Sequence, residues 1–402
     1  MKKKLLILAT VLFLTGCSIN IMDNVKTEMV DGAYINLNEI LVYTDPKLEN
    51  IIKDTNVEIL NKDTSINTDT IGENVQIVEY RYEHKKYKYK MKYEVKDNID
   101  PIILSARTES YIKVDTEEYN PCDTVNMADN YTKVPTCEII GDYNLSKIGN
   151  YKVKYQIKDE SNNIAERDLT IHVVKELPEP VEPKPSEPTI TYFEDVVNKY
   201  KKDNTEIGLD ISRWQGDVDF NKVKNAGVTF VMMRIGVSND VGEELSMDSK
   251  YKQNIERAKE AGLKVGVYVY TTAINEDMAK EAANFVIDCL DGVKLDFPIV
   301  FDWENWSKFR KYEISIHDLN NTFIAFDKEL QKHNLSAMLY SSKYYLNVMW
   351  EDRVKNNYQV WLAHYTDNKM TDYDGKFNMW QMCSDGRIDG INGDVDIDVL
   401  FK

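Results

Sequence analysis

The stretch Pro298-Ile299-Val300-Phe301-Asp302-Trp303-Glu304 is an apolar run too short for a helix, and it ends on two acids separated by one residue. A short continuous apolar run of this kind is the signature of a strand buried on both faces. Residues two apart on a strand point the same way, so Asp302 and Glu304 are expected on one side and Trp303 on the other.

Runs of the same kind recur at 207–212, 230–236, 264–271, 337–342, 359–365, 377–382 and 395–401, which with 297–304 makes eight. Helical faces lie between the first five. Ala279, Ala282, Ala283, Val286, Cys289 and Leu290 keep the three-four spacing of one face, as do Leu319, Phe323, Phe326 and Leu330. Gly262 and Gly292 fall where helix C-caps belong. After the fifth run only 343–356 reads as helical. Strands alternating with helices predict a parallel α/β sheet. The count predicts an irregular TIM-like barrel of five βα units followed by three strands, (β/α)5β3, over residues 193–402.

Upstream of the barrel, five of the ten prolines fall in Pro178-Glu179-Pro180-Val181-Glu182-Pro183-Lys184-Pro185-Ser186-Glu187-Pro188. Such a segment favours an extended spacer, so residues 176–192 read as a stiff linker. Before it, Tyr-rich and β-branched runs such as Val75-Gln76-Ile77-Val78-Glu79-Tyr80 alternate with turn residues, the pattern of half-buried antiparallel strands. Lys92-Tyr93-Glu94-Val95-Lys96-Asp97 recurs as Lys154-Tyr155-Gln156-Ile157-Lys158-Asp159, and an Ile-Gly pair precedes each copy, Ile71-Gly72 and Ile148-Gly149. Two all-β modules are expected, 18–97 and 98–175, with one irregular β domain as the alternative. Residues 148–159 of the second resemble the strand and Lys-Asp ending of bacterial surface Ig-like modules.

The chain opens Met1-Lys2-Lys3-Lys4, continues through an apolar run from Leu5 to Leu14 and reaches Thr15-Gly16-Cys17. That is a cleaved export signal over residues 1–17. Leu14-Thr15-Gly16-Cys17 resembles a bacterial lipobox, which implies a lipid on Cys17 and a protein held at the outer face of the bacterial cell membrane, facing the wall. A plain secretory signal is the alternative. Export to an oxidising compartment permits a bridge between Cys122 and Cys137, whose pairing the spacing leaves open, while Cys289 and Cys383 read as buried thiols. The five histidines are scattered, with no His/Cys cluster at metal-ligand spacing, so no metal or other cofactor is expected. With 50 Lys and Arg against 67 Asp and Glu, the net charge of −17 argues against nucleic acid, whose phosphates need a basic face.

In a parallel α/β barrel, reactive side chains belong at the C-terminal strand ends. Besides Asp302 and Glu304, Asp210 closes Ile207-Gly208-Leu209-Asp210-Ile211-Ser212, and Asp396 lies in Gly393-Asp394-Val395-Asp396-Ile397-Asp398. Two acids crowded in a low-dielectric cleft do not both ionise easily. One keeps its proton as a candidate general acid, and the other stays anionic. Glycosidic bond cleavage needs that division of labour.

Taken in order, Gly208-Leu209-Asp210-Ile211-Ser212-Arg213-Trp214-Gln215-Gly216, Gly266-Val267-Tyr268-Val269-Tyr270, Phe301-Asp302-Trp303-Glu304, Leu339-Tyr340-Ser341-Ser342, Trp361-Leu362-Ala363-His364-Tyr365, Trp380-Gln381 and Gly393-Asp394-Val395-Asp396-Ile397 resemble glycoside hydrolase family 25. These are the Chalaropsis-type lysozymes, or N-acetylmuramidases. The resemblance implies retaining cleavage of the β-1,4 bond between N-acetylmuramic acid and N-acetylglucosamine in peptidoglycan glycan strands. It implies Glu304 as general acid, Asp302 as the carboxylate that orients the sugar's own acetamido group as nucleophile, and Asp210 and Asp396 as acids that hold the reacting sugar.

Among strand-end aromatics it favours Tyr270, Tyr340 and Trp361 for substrate binding over Tyr268 and Tyr365, and leaves Trp214 and Trp380 as packing residues. Two positions depart from the pattern: Val269 stands where many relatives have His, and Asp398 where many have Asn. The alternative from another class is a wall-glycan-binding or adhesion lipoprotein that holds glycan without cutting it.

Overall fold

The computed structural model describes residues 25–179, 190–366 and 369–402. Cys17 with its export signal, and residues 180–189 of the Pro-rich linker, lie outside the described residues. The chain divides into two compact units, Met1–Asn98 and Ile99–Lys402.

The first unit is built on an antiparallel hairpin of β1 (Gly72–Tyr82) and β2 (Lys85–Lys96). Its two-residue turn, Glu83-His84, puts both residues at positive φ, the conformation whose twist matches the flanking strands. Alternation works as expected: Val78, Tyr80, Tyr89, Met91, Tyr93 and Val95 are buried, and the intervening lysines face out.

The second unit begins with six strands: β3 (Ile102–Ser105), β4 (Glu109–Lys113), β5 (Asn126–Ala128), β6 (Thr136–Ile140), β7 (Gly149–Lys158) and β8 (Ile164–Val174). They form a four-stranded sheet in the order β6-β7-β8-β4 and a separate β3-β5 pair. Ile103, Met127, Val153, Tyr155, Ile157, Leu169 and Ile171 share one core, and Cys122 and Cys137 form a disulfide beside it.

The repeat seen in the sequence is a strand-end pattern rather than a repeated topology. Its first copy ends the second strand of a hairpin, β2, and its second copy ends the first strand of one, β7. The N-terminal part is thus β-rich, with six strands split four and two in its second half.

The barrel strands are β9 (Thr205–Ile211), β10 (Phe230–Val237), β11 (Lys264–Tyr270), β12 (Ile299–Asp302), β13 (Ala337–Ser342), β14 (Gln359–Ala363), β15 (Met379–Arg387) and β16 (Val395–Phe401). β9 to β15 run parallel, and β16 closes the ring antiparallel to both β15 and β9. A lead-in helix, α1 (Phe193–Tyr200), precedes them. Crossovers are α2 (Phe220–Asn225), α3 (Tyr251–Glu260), α4 (Glu276–Leu290), α5 (Ile316–Gln331) and the pair α6 (Lys343–Val348) and α7 (Asp352–Lys355).

Among the described residues the last three strands carry no helix between them, so the five-plus-three count holds. Phe230, Met232, Val300, Met338, Trp361 and Met379 fill the inside of the ring. Gly208 and Gly266 make room for them, since a Cβ on either would stand 2.4 Å from the Phe230 ring or the Met232 sulfur.

One expectation is corrected. The Pro-rich linker does not hold the second β-rich part away from the barrel: Ala128 of β5 joins the barrel's core, and Ile316 N–H at the start of α5 donates to the Asp129 carbonyl at 2.8 Å. The linker's length in sequence says nothing about contacts made by the loops on either side of it.

Candidate active site

β12 ends at Asp302, at the mouth of the barrel. Trp303 turns away from the mouth and is fully buried. Its indole N–H donates to the Ala273 carbonyl at 3.0 Å, and its ring meets Trp306 at 4.7 Å, edge to face. With Trp303 fixed, Asp302 and Glu304 are turned the other way, and their carboxyls hydrogen-bond to each other.

The two acids differ in depth. Asp302 is buried, and burial first, then the Glu304 charge, pushes its carboxyl well above the usual range, with the Arg234 guanidinium acting against them. Its Oδ1 meets no N–H or O–H donor among the described residues, and a proton on the pair relieves that. Glu304 meets solvent at the open side of the cleft, but protein closes around the rest of it. Tyr270, Tyr340, Tyr345, Tyr365 and Asp396 all lie within its electrostatic reach. Burial raises its pKa, and the hydrogen bond from Asp302 lowers it.

Burial thus raises both carboxyls, and the pair holds one proton between them more readily than two solvated acids would. Glu304 keeps the property that matters for proton donation: its carboxyl can be reached from the cleft.

Asp210 and Asp396 are direct cross-strand partners on β9 and β16. Because β16 runs antiparallel, its N-terminal end lies at the mouth, so the second residue of β16 meets the penultimate residue of β9. Gln381 on β15 ties them together. Its Nε2 donates to Asp210 Oδ2 at 2.8 Å and to Asp396 Oδ2 at 3.2 Å, while its Oε1 accepts from the hydroxyls of Tyr340 at 2.8 Å and Tyr365 at 2.9 Å.

Asp398 lies deeper, fully buried, and accepts from the Trp361 indole N–H at 2.8 Å. Burial pushes Asp210 and Asp398 well above the carboxylate range, and the neighbouring charges add to it. Asp396 is raised to about 6, again chiefly by burial.

The aromatic assignments change. Trp361 is only 2 % exposed and sits beneath the cleft floor, so it presents no face to a sugar; it supports Asp398 instead. Strand alternation alone does not separate a barrel-filling aromatic from one at the mouth. Tyr340 is likewise buried, acting through Gln381. Tyr270 is half-buried, and burial followed by the charges of Asp302 and Glu304 takes its phenol to about 12.

The open aromatics are Tyr365, 54 % exposed, and Trp214, 72 % exposed. Trp214 is not a packing residue: it stands on the turn after β9 with the Arg213 guanidinium 4.8 Å from its ring. Trp380 is in the core, as expected.

Two residues were overlooked. Arg234, which opposes the shift of Asp302, breaks the apolar run Phe230-Val231-Met232-Met233-Arg234-Ile235, and an arginine inside a buried strand was the available signal. Gln381 stands in the Trp380-Gln381 stretch that carries the family resemblance, but its role was not visible there, because it lies in register. Gln381→Leu is expected to leave the Asp210 carboxyl and two phenols short of partners. The expected cost is about 1–3 kcal/mol of stability, with a fall in activity, read by urea unfolding beside an activity assay.

Comparison with known proteins places this geometry. Over 195 residues, 48% of this chain and 68% of the relative, it is 27% identical to the uncharacterized protein YegX of Escherichia coli strain K12. Over 192 residues, 48% of this chain and 54% of the relative, it is 31% identical to the autolytic lysozyme of Clostridium acetobutylicum. Among solved structures, the modular autolysin LytC of Streptococcus pneumoniae, determined with a synthetic peptidoglycan ligand, aligns at 20% identity and a TM-score of 0.44, covering 62% of this chain and 56% of that one. Residues 209–391 match Glycosyl hydrolases family 25, a stretch that takes in Asp210, Asp302, Glu304 and Gln381 and ends before Asp396. The C-terminal half of this chain is a family 25, lysozyme-like catalytic domain.

Proposed function

We propose that the barrel cleaves the β-1,4 bond between N-acetylmuramic acid and N-acetylglucosamine in peptidoglycan, with retention and with the substrate's acetamido group as nucleophile. The observation that carries this reading is a cleft-facing acid, Glu304, hydrogen-bonded to a deeper one, Asp302, with burial raising the pKa of both. As Glu304 engages the glycosidic oxygen, the shared proton passes to it and then to that oxygen, while the C1–O bond breaks. Asp302, now anionic, accepts from the acetamido N–H and turns the acetamido oxygen onto C1. Glu304, left as a carboxylate, then takes a proton from water, whose oxygen opens the ring so formed. Asp210, Asp396 and Gln381 hold the reacting sugar.

Two carboxyls that flank a bond for direct attack stand about 5–5.5 Å apart. Asp302 and Glu304 touch, which favours the acetamido route. The family and the lysozyme relatives support the substrate class. We also propose that Cys17 carries lipid, that the protein works at the outer face of the membrane, and that the first β-rich part, before residue 98, serves as an Ig-like spacer.

Digestion of purified peptidoglycan with the full chain, followed by mass spectrometry of the reduced products, tests the reaction. Reducing N-acetylmuramic acid supports it. Reducing N-acetylglucosamine, or cleavage of chitin oligomers alone, replaces it with another glycosidase. Binding to wall without release of reducing ends favours the adhesion reading.

A further inference from the structure

Two residues after Glu304 the chain enters a seven-residue 3-10 segment, Trp306–Tyr312, before α5 begins. Runs of 3-10 helix longer than three or four residues are uncommon, because their hydrogen-bond geometry is poor, so a segment this long needs support from outside.

The support comes from two sides. On one, Lys308 Nζ donates to Asp240 Oδ2 at 2.8 Å and the Tyr312 hydroxyl to Asp240 Oδ1 at 3.1 Å, within the barrel. On the other, the β-rich part of residues 102–174 reaches in. The amide of Asn126, buried at the start of β5, donates to the Trp306 carbonyl and accepts from Arg310 N–H at 3.2 Å. The Arg310 guanidinium donates to the carbonyls of Cys122 at 2.7 Å and Val125 at 3.3 Å, on the loop that the Cys122–Cys137 disulfide closes. Trp306 N–H in turn donates to the carbonyl of Glu304 at 2.7 Å. Two hydrogen bonds that meet on the Trp306 backbone thus link Asn126 to the backbone of the candidate acid.

We infer that the second β-rich part belongs to the working active site, with Asn126 and Arg310 as positioning residues that fix the segment following Glu304 and so set where its carboxyl points. This rests on the hydrolase reading. The lock acts on the proton donor and leaves Asp210, Asp396 and Gln381 alone, so it separates catalysis from binding. Loosening it also opens Glu304 to water and weakens the burial that raises its pKa, the Asp302 hydrogen bond acting the other way; the titratable groups facing it are Asp302, Asp396, Tyr270, Tyr340, Tyr345 and Tyr365.

The test uses the full chain with Asn126→Ala, Arg310→Ala and Arg310→Lys, and with Lys311→Ala as a neighbouring exposed control. Expected for the two alanine variants at 126 and 310 is a kcat lowered roughly ten- to hundredfold with KM within about twofold. The alkaline limb of the pH profile should move to lower pH, and amide exchange should quicken at 304–312. Arg310→Lys, which keeps one donor for the Cys122 carbonyl, should recover part of the loss, and Lys311→Ala should match wild type.

Unchanged exchange at 304–312, or kcat within twofold of wild type, overturns the inference, as does a KM change equal to the loss in kcat. If Asn126→Ala fails to fold, the Arg310 pair decides, since that side chain is partly exposed. A wild-type chain that releases no reducing ends overturns the hydrolase reading instead, and the exchange rates still decide whether the lock exists.

Discussion

Glu304→Gln is expected to lower release of reducing ends from purified peptidoglycan by about 10²–10⁴-fold while the thermal transition stays close to wild type. Glutamine keeps the size and polarity of the side chain, and Glu304 is exposed at the cleft, so little stability is at stake. What disappears is the ability to give a proton to the leaving oxygen and to take one from water, and both steps need the same atom pair. In the wild type, the Asp302–Glu304 pair must carry its shared proton at the start, so kcat/KM should fall as pH rises through the raised pKa of the pair. The same measurement on Asp302→Asn separates the partners: it keeps Glu304 as donor and removes the anion that holds the acetamido group, so a residual activity with a displaced pH profile is expected. Equal activity of Glu304→Gln and wild type would transfer the acid role elsewhere, with Asp396, raised to about 6, the next in line.

The barrel was legible because its strands are buried on both faces, and such strands write themselves as uninterrupted apolar runs; all eight runs became strands of the ring. The four acids were legible for a related reason. A carboxylate at the end of an otherwise apolar run has few structural explanations, and the C-terminal rim of a parallel barrel is where such groups meet. The parts that were not legible depend on register and depth. Gln381 matters because β15 aligns it with Ala363 on one side and Asp398 on the other, and one strand read alone does not contain that. Alternation put Trp361 on the inward face, but inward in a closed ring includes both the packed interior and the mouth. How far burial raises the Asp302 and Glu304 carboxyls depends on depth, which two letters in a sequence do not rank. Asn126 reads as one more polar residue in a β-rich stretch. Its role comes from a contact with Trp306 that no local pattern announces.

The second large effect concerns stability, and its sign is unusual. Unfolded aspartates titrate near 3.9, whereas Asp210, Asp302 and Asp398 are pushed well above that value in the fold, and Asp396 to about 6. Between these limits the folded chain binds more protons than the unfolded one, so stability is greatest below the unfolded pKa and declines as pH rises through the folded values. Asp396 alone accounts for up to about 3 kcal/mol across pH 4 to 6. The opposite trend comes from carboxylates held low by cations, such as Asp240, which Lys308 first and the Val241 backbone N–H next take to about 2; their contribution is present above about pH 4 and is lost below it. The buried acids are therefore expected to make the barrel less stable as pH rises above the unfolded aspartate value, the reverse of the usual trend over that range.

Asp398→Asn isolates the cause. Asparagine still accepts from Trp361 and can donate to Asp210, but it no longer has to give up a proton in a buried site. The variant is expected to be more stable than wild type at pH 8 and little changed at pH 4, flattening the decline. All six tryptophans lie in the barrel, from Trp214 to Trp380, so urea unfolding followed by their fluorescence at pH 4, 6 and 8 reads this part of the chain. A wild-type barrel that grows more stable from pH 5 to 8, or an Asp398→Asn variant with the same slope as wild type, would show that the buried carboxyls under the cleft are charged, and the shared-proton account of the site would fall with them.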